Sequence, residues 1–223
     1  MRVIIFGASG MVGQGALREC LRDPQVSEVL SIGRSALAQQ HAKLRQLTLP
    51  ELSDLSAIEA QLVGYDACFF CLGVSSTGMS EARYRTLTYD LTLATARPLA
   101  QLNPTMTFIY VSGVGTDSSE QGRSMWARVK GATENALFAL PFHAVMFRPS
   151  AIVPLHGIRS RTRAYDLLYR VFKPLWFVAL RLFPNQVTTT ECVGLAMLAV
   201  ARGETTLRVV EPAEINRLAL PSE

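Results

Sequence analysis

The sequence predicts an α/β domain: a doubly wound parallel sheet with a small C-terminal helical subregion. Three observations carry this. Apolar, β-rich runs alternate with helical patterns through the first 150 residues. The run "ACFFC" at 67–71 shows no polar alternation, as expected of a central strand buried on both faces. A strand, a glycine-rich turn and a helix also follow one another at the very start, in "IIFGASGMVGQGALREC".

The elements follow in order. Residues 3–6, 29–32, 67–71, 107–111 and 144–147 read as strands, with a shorter one at 44–49. Helical patterns lie near 12–22, 53–62, 80–101 and 124–139. Strands alternating with helices imply right-handed crossovers and helices on both faces of the sheet. After about residue 150 the alternation stops, and the pattern becomes helical with a late strand at 207–210. "TTTECVGLAMLAVARG" opens with threonine caps and closes on Gly203, a well-signalled helix. Residues 1–223 are therefore expected to form a single domain, with 151–223 as its substrate-side subregion.

Composition narrows the function. The chain has 223 residues, is 49% hydrophobic and carries a formal charge of +4. That length suits one domain with a well-buried core. Its 22 basic residues are spread along the chain, which argues against nucleic acid as a partner and fits an anionic ligand. Four cysteines, Cys20, Cys68, Cys71 and Cys192, are too few for a disulfide framework. No secretory leader is visible, so a reducing, cytoplasmic location is expected. Oligomeric state is left as monomer or homodimer.

Gly7, Gly10 and Gly13 fall three apart between the first strand and the first helix. A helix start offers unpaired N–H groups and the positive end of its dipole to phosphate. Gly7 then permits the tight turn, Gly10 lets backbone approach a pyrophosphate, and Gly13 lets the helix pack on the sheet. Ser9, Met11 and Val12 belong to the same loop. The pattern predicts a Rossmann dinucleotide site.

The order of "GASGMVG", "IGR", "CLG", "YVSGVG", the lysine of "ARVKG" and "FRPSAI" resembles the short-chain dehydrogenase/reductase superfamily. The loop form resembles its atypical and extended branches. Among these, the likeness is to NAD(P)-binding oxidoreductases related to the Tat-interacting tumour suppressor and to nucleoside-sugar epimerases. The resemblance implies an NADP-binding oxidoreductase or epimerase-like protein acting on a small carbonyl compound. An alternative is a redox-inert NADP-binding sensor or scaffold that regulates a protein partner.

Arg34 stands after the second strand, where an acid would hold the ribose 2′-hydroxyl of NAD; a guanidinium suits the 2′-phosphate of NADP(H). Leu72 and Gly73 would lie against the cofactor ribose, and Pro149 to Ile152 against the nicotinamide. No residue of "QLTLPELSD" matches the aspartate that touches adenine in the family. Ser112 and Lys130 match the family's catalytic serine and lysine, and Lys130 also grips the nicotinamide ribose. The family's proton-donating tyrosine stands four residues before the lysine, one helical turn away. Here that residue is Trp126, whose indole N–H does not release a proton near neutral pH. Tyr84 and Tyr89 are candidates to face the cleft instead, with Tyr110 expected inside its strand.

Other features read as structural or open. Cys68 and Cys71 point to opposite strand faces and suggest neither a metal site nor a redox pair; no metal is expected, and the histidines show no ligand spacing. Arg148 is either a substrate or phosphate ligand or half of an ion pair at the end of a strand. Arg159, Arg161 and Arg163 suggest either a solvated loop or a lid that attracts anions. The apolar 165–183 stretch is interrupted by Lys173 and Arg181 and is too short to span a bilayer. It reads as a helix over the core, with a pocket wall, dimer surface or peripheral membrane contact as other uses.

Overall fold

The computed structural model describes residues 1–158, 183 and 185–220. Arg159, Arg161, Arg163 and nearly all of the apolar 165–183 stretch lie outside them. The chain runs β1 (Arg2–Phe6), α1 (Met11–Arg22), β2 (Glu28–Gly33), β3 (Leu44–Thr48), a 3-10 segment (Ser56–Gln61) and β4 (Ala67–Phe70). It continues through α2 (Glu81–Arg85), a π-helical turn (Thr86–Asp90), α3 (Leu91–Leu102), β5 (Thr107–Val111), α4 (Met125–Phe138) and β6 (His143–Phe147). Then come β7 (Ala151–Val153), β8 (Val187–Thr189), α5 (Thr190–Ala201), β9 (Val209–Val210) and α6 (Pro212–Leu218).

Seven strands form one sheet in the order β3-β2-β1-β4-β5-β6-β9, every pair parallel. The chain moves outward from β1 on both sides, so strand order reverses between β1 and β4. Ligands bind outside the carboxyl ends of strands at such a switch point. The doubly wound fold is as the sequence predicts. Successive strand residues feed opposite cores. Val3, Ile5, Phe69, Ile109 and Val145 pack on the side of α1 and α5. Ile4, Phe6, Cys68, Phe70 and Phe108 pack on the side of α3.

Three expectations are corrected. Within 53–62 only Ser56–Gln61 is helical, and as a 3-10 segment rather than an α-helix, with the Asp54 carboxylate accepting from the Ser56 amide at 2.9 Å. The 80–101 helix is broken by the π-helical turn at Thr86–Asp90. Beyond residue 150, β7 and β8 pair in parallel as a second, two-stranded sheet, and of 207–210 only Val209 and Val210 join the main sheet. The capped helix appears as α5: the Thr189 side chain accepts from the Cys192 amide at 3.0 Å. α5 crosses α1 where a Cβ on Gly194 would sit 2.9 Å from the Gly15 carbonyl oxygen.

Candidate dinucleotide cleft

The cleft begins where β1 ends. Gly7 has φ +79°, and a Cβ there would lie 2.9 Å from the backbone of Cys71 at the exit of β4. Only glycine allows both that turn and that approach. Gly13, in the first turn of α1, sits so close to the Gly7 carbonyl that a Cβ would overlap it. Gly10 caps α1, and its amide donates to the Gly7 carbonyl at 2.9 Å. A Cβ on Gly10 would meet only that carbonyl oxygen, at 3.3 Å, so the space in front is open. The amides of Met11, Val12 and Gly13 have no intrahelical acceptor. No side chain caps them and no acidic residue occupies the first turn. That is a cradle fitted to an anion.

A cleft of about 320 Å³ lies in front of this turn, lined by Gly7, Ala8 and Ser9 from the loop and by Ser31 to Ser35 at the end of β2. Leu37, Leu52 and Leu72 form its apolar walls. Among the described residues its lining has one charged side chain, Arg34, and no carboxylate. Arg34 is exposed and, among the described residues, has no ion-pair partner. Gln46 steadies the loop behind it: its side-chain oxygen accepts from the Leu37 amide at 2.7 Å. Gly73 is open, with nothing within 4 Å of where a Cβ would stand. Leu37 and Leu52 escape sequence reasoning, since single loop leucines carry no periodic signal; Leu52 lies within the "QLTLPELSD" segment.

A second group of polar side chains surrounds the end of β5. The Lys130 ammonium donates to the Ser112 carbonyl at 2.7 Å and the Val111 carbonyl at 3.2 Å, and stands 5.5 Å from the Tyr110 ring centroid. Loss of water around it lowers its pKa to about 8, against an opposing pull from the Glu134 charge. The Ser112 hydroxyl is 2.5 Å from Glu134 Oε1. Glu134 is fully buried and ion-paired with Arg148, the ion-pair reading of that arginine. Trp126 is half-buried, the end of its indole 3.6 Å from where a Gly115 Cβ would stand.

Tyr110 and Tyr84 are both buried, which raises both phenols and, for Tyr84, answers against facing the cleft. Tyr89 is half-buried with the Arg85 guanidinium 3.9 Å above its ring. Pro149 is buried and its carbonyl accepts from the Val114 amide at 3.0 Å. Ile152 lies in β7 with its side chain in the core on the α1 side. Cys68 and Cys71 pack against opposite cores, as their spacing predicts. Burial pushes the Cys71 thiol up to about 12 and Cys68 well above its ordinary value. Among the described residues no group of three potential ligands could hold a metal, and no helix is long and apolar enough to cross a membrane.

The fold resembles that of solved short-chain dehydrogenase and sugar-nucleotide epimerase structures. The structure superposes on a crystal structure of UDP-glucose 4-epimerase with a TM-score of 0.68 at 15% identity, covering 97% of this chain and 80% of that one. It also matches the Bordetella bronchiseptica enzyme WbmH in complex with NAD+ (TM-score 0.62, 16% identity, 91% and 72% covered). A short chain dehydrogenase family protein from Francisella tularensis gives a TM-score of 0.66 at 11% identity, with 96% and 98% covered. By sequence, the chain is 27% identical to Protein HTATIP2 of Rattus norvegicus over 173 residues, 76% of this chain and 69% of that protein. It is 25% identical to Protein FMP52, mitochondrial, of Candida albicans over 158 residues, 69% and 68% covered. The resemblance to the Tat-interacting branch is thereby borne out. No known family model matches the chain.

Proposed function

We propose that the protein is an NADP(H)-dependent oxidoreductase or epimerase-like enzyme acting on a small carbonyl compound. The observation that carries the cofactor is Arg34, a cation that among the described residues has no ion-pair partner and shares its cleft with no carboxylate. In this reading the pyrophosphate rests on the amides at the start of α1, with Gly7, Ser9, Gly10, Met11, Val12 and Gly13 as the cradle. Arg34 takes the 2′-phosphate, and Leu72, Gly73, Pro149 and Ile152 border the nicotinamide half. A bound nicotinamide would supply or accept a hydride. Lys130 would hold its ribose, and Ser112 would meet the substrate oxygen. Residues 151–223 would contribute the substrate side of the single domain. Relatives solved with NAD+ or NADH support a nicotinamide dinucleotide, and the choice of NADP rests on Arg34. Four free thiols suit a reducing compartment such as the cytoplasm, although the relatives named FMP52 are named as mitochondrial.

A second reading has its own observation. Trp126 replaces the expected phenol, and this suits a redox-inert NADP-binding sensor or scaffold. Calorimetry with NADPH and NADH, followed by absorbance assays with quinones, aldehydes and ketones, separates the two. Tight NADPH binding with turnover supports the enzyme, and binding without turnover supports the sensor. Equal affinity for the two cofactors overturns the assignment of NADP.

A further inference from the structure

Ser112 stands just past the carboxyl end of β5, and its hydroxyl faces inward. Its Oγ lies 2.5 Å from Glu134 Oε1 and 3.2 Å from the Phe147 carbonyl oxygen. Both neighbours accept hydrogen bonds. Glu134 is completely buried and ion-paired with Arg148, whose Nη2 donates to Oε2 and whose Nε donates to Oε1 at 3.1 Å, and an ionised carboxylate offers no donor. The Arg148 guanidinium is fixed in turn by Ser118 Oγ at 2.7 Å and faces Glu211 at 3.6 Å. The carbonyl of Ser112 is held by Lys130, one helical turn before Glu134 on α4. Ser112 is thus gripped at both its carbonyl and its hydroxyl. Its single hydroxyl proton has two inward acceptors, and among the described residues no donor reaches Oγ.

We propose that Glu134 is a positioning residue that makes Ser112 a hydrogen-bond acceptor toward the cleft, so that the site holds a secondary alcohol in preference to the matching carbonyl. The inference rests on the oxidoreductase reading of the same cleft. A carbonyl oxygen must compete with a buried carboxylate for the only proton Ser112 has. An alcohol brings its own proton and meets a free lone pair. The family pattern alone predicts the opposite, a serine that donates to a carbonyl. The difference comes from Glu134, whose charge-assisted bond is stronger than one to a neutral carbonyl.

Two variants test this. Glu134→Gln keeps shape and removes the negative charge that draws the Ser112 hydroxyl proton. Ser112→Ala leaves the Glu134–Arg148 pair intact and decides the matter if the glutamine variant does not fold. Initial rates are measured in both directions with cyclohexanone and cyclohexanol, acetoin and 2,3-butanediol, and 4-nitroacetophenone and its alcohol, using NADPH or NADP+. KM and kcat are determined separately, with NADPH affinity from calorimetry. In the unmodified protein KM is lower for the alcohol of each pair that reacts. Glu134→Gln raises the alcohol KM and lowers the carbonyl KM, together a change on the order of tenfold in their ratio. Ser112→Ala abolishes the alcohol's advantage and leaves NADPH affinity unchanged. Turnover whose KM ratio is the same in all three proteins overturns the inference and leaves the oxidoreductase reading standing. NADPH binding with no turnover in either direction overturns both.

Discussion

Gly13 on α1 lies directly against the carbonyl of Gly7, with no room for a Cβ between them. The contact fixes the start of α1 over the end of β1, and so fixes where the first-turn amides point. Gly13→Ala therefore forces helix and strand apart. Overpacking of this kind destabilises by roughly 1–3 kcal/mol, and backbone rather than a flexible side chain has to yield. Urea denaturation should show a clear fall in midpoint at unchanged slope. An unchanged midpoint would refute the contact.

Gly10 behaves differently, because its hypothetical Cβ meets one atom at 3.3 Å and otherwise faces open space. Gly10→Val should leave the fold nearly as stable as before and abolish dinucleotide binding, since the side chain fills the volume a pyrophosphate needs. Circular dichroism and calorimetry on the same sample check both halves. A folded variant that binds NADPH with its original affinity places the phosphates elsewhere.

Arg34→Ala removes the one charge that the described residues bring to the cleft. A charge-assisted, bidentate contact contributes about 1.5–3 kcal/mol, and solvent exposure of Arg34 places the effect at the low end. The variant should lose on the order of tenfold in NADPH affinity while NADH affinity stays the same. An equal loss for both cofactors would mean that Arg34 does not read the 2′-phosphate.

The sequence carries the sheet and the glycine turn because both leave local marks. Parallel strands buried on two faces read as unbroken apolar runs, and "ACFF" is one. Gly7 and Gly13 are needed for reasons set within one strand–turn–helix unit. β7 and β8 leave no such mark, since three-residue strands are too short for a period and pair across 33 intervening residues. Leu55, Ile58 and Leu62, three and four apart, fit an α-helix in sequence but are satisfied by a 3-10 segment packed on the core. Glu134 looks like an ordinary helix-surface charge. Its burial depends on Ser112 and Arg148 arriving from just past the ends of two strands, β5 and β6, and only the fold brings them together.

Lys130 gives the protein a pH dependence of known sign. Its pKa falls from 10.5 to about 8 on folding because the ammonium loses water. Between those values the unfolded chain holds a proton that the folded one has released, so this group's contribution to stability rises with pH through that window. Below about pH 8 the charged form is buried at a cost, partly offset by Glu134. The stability of the protein relative to Lys130→Met should therefore increase from pH 8 to pH 10.5, by up to about 3 kcal/mol. Denaturant titrations of both proteins across that range measure the difference, and a difference that stays flat would mean that Lys130 is not desolvated.

Trp126 is where the site departs most from the reductase pattern, and it is the place to ask whether catalysis can be restored. Its indole reaches the loop after β5, 3.6 Å from a Cβ position on Gly115, so replacing it with the smaller tyrosine gives up some packing there. What Trp126→Tyr adds is a phenol one helical turn before Lys130. A nearby ammonium favours the phenolate and lowers the phenol's pKa, and Lys130 retains its positive charge below about pH 8. A positioned general acid contributes roughly 10²–10⁴-fold in rate. The variant should therefore gain, or strongly increase, carbonyl reduction by NADPH, and equally the reverse oxidation, because the same group returns the proton in the other direction. NADPH absorbance with the carbonyl panel, after calorimetry confirms equal cofactor affinity, checks this. A folded, cofactor-binding Trp126→Tyr protein with no rise in rate would favour the redox-inert reading over a reductase that lacks only its proton donor.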